Sequence, residues 1–406
     1  MSDPRTAALR PTRVAVSTGF LLQGLVISSI LTQAPRLIDK HDVGDGTFTT
    51  VLVLVAVLSG VGSVAAGRVA ERRTSATALR RGLWGIALGA AVIGLAPTTA
   101  TLMIAFAVYG IGLGAVDASM NMQGVRVQAL YGRSLINGLH GLWSVGGILG
   151  AGYASLCAWL DVPVAVSLLM VAAVAVVACE TVQAHFVPAV EQEVSLVQTD
   201  GPRVPWRPVL VLGLVVLVFF ASDTGILTWC TRYLEDALGA SDELAPLGYG
   251  AYQVGALVSR LSADLLVRRI GAVRVVVAGV ATGLVGLGMV VASGTTAPAV
   301  VGLFLTGLGL AVLAPLSFAA IAGAVPPGTT DVAIARLNLA NYVGAILGGG
   351  LIGAVAEGWD LRWAFVVPLV LVPFVLVALR DLAAADPGHG RPRRSSRGVK
   401  ERRGQG

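Results

Sequence analysis

Twelve runs of about twenty apolar residues leave this chain little choice of solvent. They cover 14–36, 47–67, 82–97, 99–124, 134–159, 162–184, 208–232, 243–263, 272–293, 297–322, 331–356 and 361–380. Inside a bilayer every backbone group must bond within a helix or a closed barrel. The runs are rich in Gly, Ala, Leu and Val and do not alternate, so they predict helices rather than barrel strands. Composition agrees. Only 13% of the 406 residues are charged, against about 25% in an ordinary soluble domain, too few to cover a water-soluble globule. The first run is too long for the 7–15-residue core of a cleaved signal peptide and reads as a retained span.

Other classes fall away quickly. Cys157, Cys179 and Cys230 stand far apart in or beside apolar runs and build neither a disulfide framework nor a CxxC metal pattern. His41, His140, His185 and His389 are too scattered for a zinc motif, and no cofactor is implied. The net charge of +6 does not point to nucleic acid, because eight of the 29 Lys and Arg lie at or beyond Arg380 in a short tail. A basic tail after a last apolar helix reads as a cytoplasmic end facing anionic lipid.

Charge also orients the chain. With both termini inside, 25 Lys and Arg fall in cytoplasmic segments, Arg260 and Arg336 among them. Four fall outside: Arg36, Lys40, Arg232 and Arg362. That is the positive-inside asymmetry of a multi-pass protein of the cytoplasmic membrane. The polar stretch 185–207 reads as a cytoplasmic linker between two six-helix bundles, 1–184 and 208–380, with a basic tail at 381–406. Internal similarity supports the division. "VGGILGAG" (145–152) matches "VGAILGGG" (343–350) at six of eight positions, and "GIGLGAV" (110–116) resembles "GLGLAVL" (307–313) at nearly the same offset.

Twelve spans, two related halves and a central linker resemble the major facilitator superfamily, whose fold has pseudo-symmetric six-helix bundles with the substrate site near the membrane midplane. The loop "GRVAERRTSATALRR" (67–81) is similar to that family's gating loop, with Gly67, Glu71 and Arg72 in the glycine, acid and arginine places and Thr74 where a second glycine is expected. The segment "SRLSADLLVRRIGAVR" (259–274) looks like a fuller copy, with Asp264, Arg268, Arg269 and Gly271. The branch it most resembles holds the fucose–proton symporters and uncharacterised bacterial relatives: "GLGAVDASMN" (112–121) fits a glycine-rich fourth span with an acid, Asp117, four residues before Asn121. The symporters' first-span acid has no counterpart here, since Gln23 is the only mid-span polar group. The glycine–proline motif of drug–proton antiporters is also missing from span five.

Asp117 carries the chemistry of this reading. An ionised carboxylate at membrane depth costs about 2.5–3.5 kcal/mol and is functional by default. Gly110, Gly114, Asp117, Asn121 and Gly124 share one helix face. His140, at a similar inner depth on span five, is placed to form an acid–imidazole pair with Asp117; the competing reading is a structural lock between spans four and five. Asp223, in span seven, is a third proton-coupling candidate. Gln23, Asn121, Asn137, Tyr252, Gln253, Asn338 and Asn341 are candidate substrate-binding groups, each of which could instead be a helix–helix hydrogen bond.

The expectation is a secondary transporter working as a monomer by alternating access, moving a small polar organic solute with protons as the coupling ion. No GxxxxGK[ST] motif offers ATP as the energy source. The alternative is a proton antiporter exporting drugs or endogenous metabolites. A membrane enzyme would need a constellation such as HExxH, which is absent; a transport-derived receptor or lipid flippase stays open.

Overall fold

The structure, a computed structural model, describes residues 8–131, 135–187, 204–326, 330–358 and 360–385. Its regular structure in these residues is helical, with short turns and loops between the helices. In chain order the helices are α1 (Arg10–Leu31), α2 (Ala34–His41), α3 (Asp45–Arg72), α4 (Ser75–Leu95), α5 (Thr99–Tyr131), α6 (Ile136–Trp159), α7 (Val164–Val182) and α8 (Trp206–Arg232). They continue with α9 (Pro246–Ile270), α10 (Ala272–Ala292), α11 (Thr296–Leu310), α12 (Leu313–Ala324), α13 (Thr330–Gly358), α14 (Leu361–Ala364), α15 (Val366–Leu371) and α16 (Leu379–Ala385).

Among the described residues, ten helical stretches are long and apolar enough to cross a membrane. The predicted spans 243–263 and 331–356 are helical as well. The first is α9, made more polar by Arg260, Asp264, Arg268 and Arg269; the second is α13, with the shorter apolar stretch Leu339–Val355. Span ten is interrupted between α11 and α12 at Ala311 and Val312. Pro315 explains the place, because its ring clashes with the carbonyl four residues back, that of Ala311. Pro368 and Pro373 similarly divide the last span into α15, a 3-10 turn over Val372–Ala378, and α16.

The repeated sequence motifs have a packing reason. A Cβ on Gly146 of α6 would run into the Leu21 carbonyl of α1, and one on its repeat counterpart Gly344 of α13 would lie 2.5 Å from the Leu217 carbonyl of α8. Gly110 and Gly307 do the same for the other pair: a Cβ there would meet the Val55 carbonyl of α3 at 2.8 Å and the Tyr252 carbonyl carbon of α9 at 2.9 Å. Small residues let membrane helices approach to backbone contact where no hydrophobic effect drives them together. The same glycines thus seat the same helix pairs in each half. Between the halves, α6 packs on α9 and α3 on α13.

The two gating-loop copies diverge in a way the residues explain. Gly271 joins α9 to α10 at φ 84°, a conformation that disfavours any side chain. Thr74, in the matching loop, is extended at φ −152° and caps α4, its hydroxyl accepting from the Thr77 amide at 2.9 Å. Without a glycine, the first loop makes its turn with a helix cap instead.

Candidate functional site

Two carboxylates, one buried and one half-buried, lie where α1, α5 and α6 meet α8, α9 and α13. Asp117 stands midway along α5, half-buried. Gln23 of α1, only 4% exposed, lies within hydrogen-bonding reach of its carboxyl. Tyr342 of α13 comes close enough for the carboxylate's field to reach its phenol, and its hydroxyl is hydrogen-bonded to that of Ser63 on α3 at 3.1 Å. The acid of one half therefore has a neighbour from the other. Asn121 donates to the main-chain carbonyl of Asp117 at 2.9 Å, which ties part of its amide to its own helix.

Asp223, on α8, is almost fully buried and accepts a 2.6 Å hydrogen bond from the Tyr252 hydroxyl. Tyr252 stacks on Tyr249, with ring centres 6.1 Å apart and planes 24° from parallel. One turn along α9, Gln253 donates its amide to the Tyr249 hydroxyl. The sequence-predicted trio Asp223, Tyr252 and Gln253 is thus brought together, joined by a tyrosine that sequence reasoning passed over.

Arg260 is the larger omission. Counted among the cytoplasmic charges, it instead lies half-buried against α6, donating to the Ser144 hydroxyl and sitting 5.9 Å above the Trp143 ring. Its charge reaches Asp223, Tyr249, Tyr252 and His140. The available signal was its place inside the predicted span 243–263 rather than beyond its end.

The expected Asp117–His140 pair is not formed: among the described residues no hydrogen bond joins them. His140 packs edge-on against Phe20, ring centres 5.1 Å apart, and faces Arg260. Similar depth did not produce contact, because depth fixes height along a helix and not the direction a side chain takes around it. Asn341 is half-buried on α13. The side chains of Glu71, Asn137, Asp264 and Asn338 lie outside the described residues. Gly67 sits inside α3 with open space around it, and Arg72 is exposed in the last turn of α3. Arg268 falls in the last turn of α9. Among the described residues no group of His, Cys, Asp and Glu could hold a metal.

At the end of the bundle predicted to face outside, the halves are packed together. Ser155 of α6 donates to the Glu243 carbonyl, Phe48 of α3 meets Trp229 of α8 edge-on at 6.1 Å, and a Cβ on Gly353 would lie 2.7 Å from the Trp229 ring.

Comparison with known proteins agrees with this architecture. Residues 212–404 match the family profile of the Major Facilitator Superfamily. An uncharacterised transporter of Sinorhizobium fredii, y4wD, is 28% identical over 299 residues, 71% of this chain and 76% of that protein. A variant of the nucleoside transporter NupG superposes with a TM-score of 0.72 over 91% of this chain and 99% of that one, at 12% identity. The transporter FucP, in an outward conformation, superposes at 0.63 over 91% and 98%, at 14% identity. The chain thus matches the major facilitator superfamily by sequence over its C-terminal half and shares the fold of a solved member over most of its length. At such identities the structural likeness establishes a shared fold and says nothing of the solute. The chain's relatives are named transporters, and a multi-pass membrane transporter is what the fold and the matches make it.

Proposed function

We propose that this protein is a secondary active transporter moving a small polar organic solute across the cytoplasmic membrane by alternating access, with protons as the coupling ion. The observation that carries the reading is the pair of carboxylates, Asp117 and Asp223, placed at membrane depth beside the contact between the halves and surrounded by amides and phenols. Such groups are costly in a bilayer and serve ion and substrate pathways. Asp117 carries the coupled proton. Its neighbours Gln23, Tyr342 and Asn121 include no cation to offset the cost of its ionised form, so the proton must accompany each passage through a closed state. The two units, 1–184 and 208–380, rock about the α6–α9 and α3–α13 contacts, with both termini cytoplasmic and a monomer as the working unit. The packed contacts at Gly353 and Ser155 support a state shut on the outer side. Asp264 and Glu71 latch the inner loops in one of the two states.

Reconstitution into proteoliposomes tests this. An imposed proton gradient should drive accumulation of a solute from a pooled metabolite mixture, and collapse of the gradient by a protonophore should release it. Accumulation that persists after the protonophore would remove the proton from the mechanism. Orientation has its own check: a cysteine replacing exposed Asp242 should label from outside intact cells, and one replacing exposed Arg73 only after permeabilisation.

A further inference from the structure

The transport reading leaves three features of the central site unexplained. The first is Arg260. Among the described residues it has no carboxylate within ion-pair distance; its partners are a neutral hydroxyl, Ser144, and the face of Trp143. A guanidinium is protonated at all physiological pH and offers five N–H donors in a planar fork matched to a carboxylate. Asp223, the acid whose charge it reaches, is held by Tyr252 instead. A partly buried arginine whose fork is paired with no carboxylate is an expensive arrangement for a membrane protein to keep.

The other two are amide oxygens. The Oε1 atoms of Gln23 and Gln253 are buried without any hydrogen-bond donor, in side chains 4% and 0% exposed. They flank one stretch of α6, since Gly24 abuts the Trp143 main chain and Gly147 lies against the Gln253 side chain. A buried acceptor left unpaired costs about what a lost hydrogen bond costs, so each glutamine is poised for an O–H or N–H brought from elsewhere. Arg260 borders the same stretch through Trp143 and Ser144.

One positive fork and two orphaned acceptors around one helical stretch define a complementary molecule. We propose that the solute is a small organic anion bearing both a carboxylate and hydroxyl donors, the class of hydroxy acids and sugar acids. The carboxylate occupies the fork of Arg260, and hydroxyls donate to Gln23 and Gln253. The inference rests on the transport reading for its location, but it assigns Arg260 a role that transport alone does not require. A neutral sugar would satisfy the glutamines and leave the guanidinium unmatched.

The test uses the purified full chain and matched probes: lactate against lactamide, glycerate against glycerol, gluconate against glucose. A ligand that binds only the folded protein raises its melting temperature by mass action. At least one acid should raise it by several degrees while its neutral counterpart does not. The shift should vanish in Arg260→Gln, shrink but persist in Arg260→Lys, which keeps the charge and loses the fork, and be unaffected by Arg10→Gln, an exposed arginine in the first turn of α1. Ser144→Ala, which keeps the charge but loosens its aim, should weaken half-saturation by severalfold and thereby report on Arg260 even if Arg260→Gln fails to fold. Stabilisation by glucose or glycerol equal to that by the acids would overturn the assignment and leave the transporter intact. No shift with any acid would also overturn it. An acid that binds through Arg260 yet shows no counterflow in proteoliposomes would uphold the anion site and sink the transport reading instead.

Discussion

Asp117 and Asp223 are both carboxylates at membrane depth, yet the protein surrounds them differently. Asp117 has an amide, Gln23, and a phenol from the opposite half, Tyr342. Asp223 has a strong hydrogen bond from Tyr252 and the field of Arg260. A nearby cation offsets the cost of ionising Asp223, whereas nothing of the kind offsets it at Asp117. We propose that Asp117 carries the coupled proton and that Asp223 acts on the solute site through its place beside Arg260. Two intramembrane acids of one protein thus stand in different surroundings, and a nearby cation is the feature that separates them.

The largest effect that could break this contrast is expected at Asp117. Asp117→Asn imitates the protonated acid at nearly constant volume, so proton-driven accumulation should fall to background while exchange of labelled for unlabelled solute continues. Accumulation at the wild-type level would make Asp117 structural.

Asp223→Asn should act in another way. Coupling should persist at a reduced rate, and half-saturation by the acidic probes should improve by severalfold because a like charge near Arg260 has gone. If this variant loses accumulation while keeping exchange, as expected of Asp117→Asn, the two acids do the same work and the distinction collapses.

A smaller change follows from His140. Since it packs on Phe20 and faces Arg260, His140→Gln should leave the coupling ratio unchanged and alter the pH dependence of transport only slightly. A displacement of the pH optimum by a full unit would mean that His140 and Asp117 meet in another state of the cycle.

The smallest is Tyr252→Phe. It removes one hydrogen bond inside the membrane, worth about 0.6–2 kcal/mol, so a drop of a few degrees in melting temperature with coupling intact is expected. Loss of coupling would show that the phenol relays protons to Asp223.

Much of the architecture was legible in the chain because bilayer physics acts through composition over short windows. Uncharged runs marked the spans, and the repeats at 145–152 and 343–350 marked equivalent glycines that the structure uses in equivalent seats, Gly146 on Leu21 and Gly344 on Leu217. Pro315 announced the break in span ten. Asp117 and Asp223 stood out because a charge in an apolar run is conspicuous wherever it points.

The partners of those acids were another matter. The separation of His140 from Asp117, the approach of Tyr342 across the halves, and the seating of Arg260 on Trp143 and Ser144 depend on how six helices are rotated about their axes. An α-helix turns by about a hundred degrees per residue while rising only 1.5 Å. Sequence reading that locates a residue to within a few positions therefore gives its depth usefully and its direction not at all. Arg260 shows the consequence: near the cytoplasmic end of a span it reads as a topology signal, and only the docking of α9 against α6 turns it toward the centre. The chain by itself determined the solvent, the helices and their symmetric pairing; the packing of the two halves decided which charges face one another.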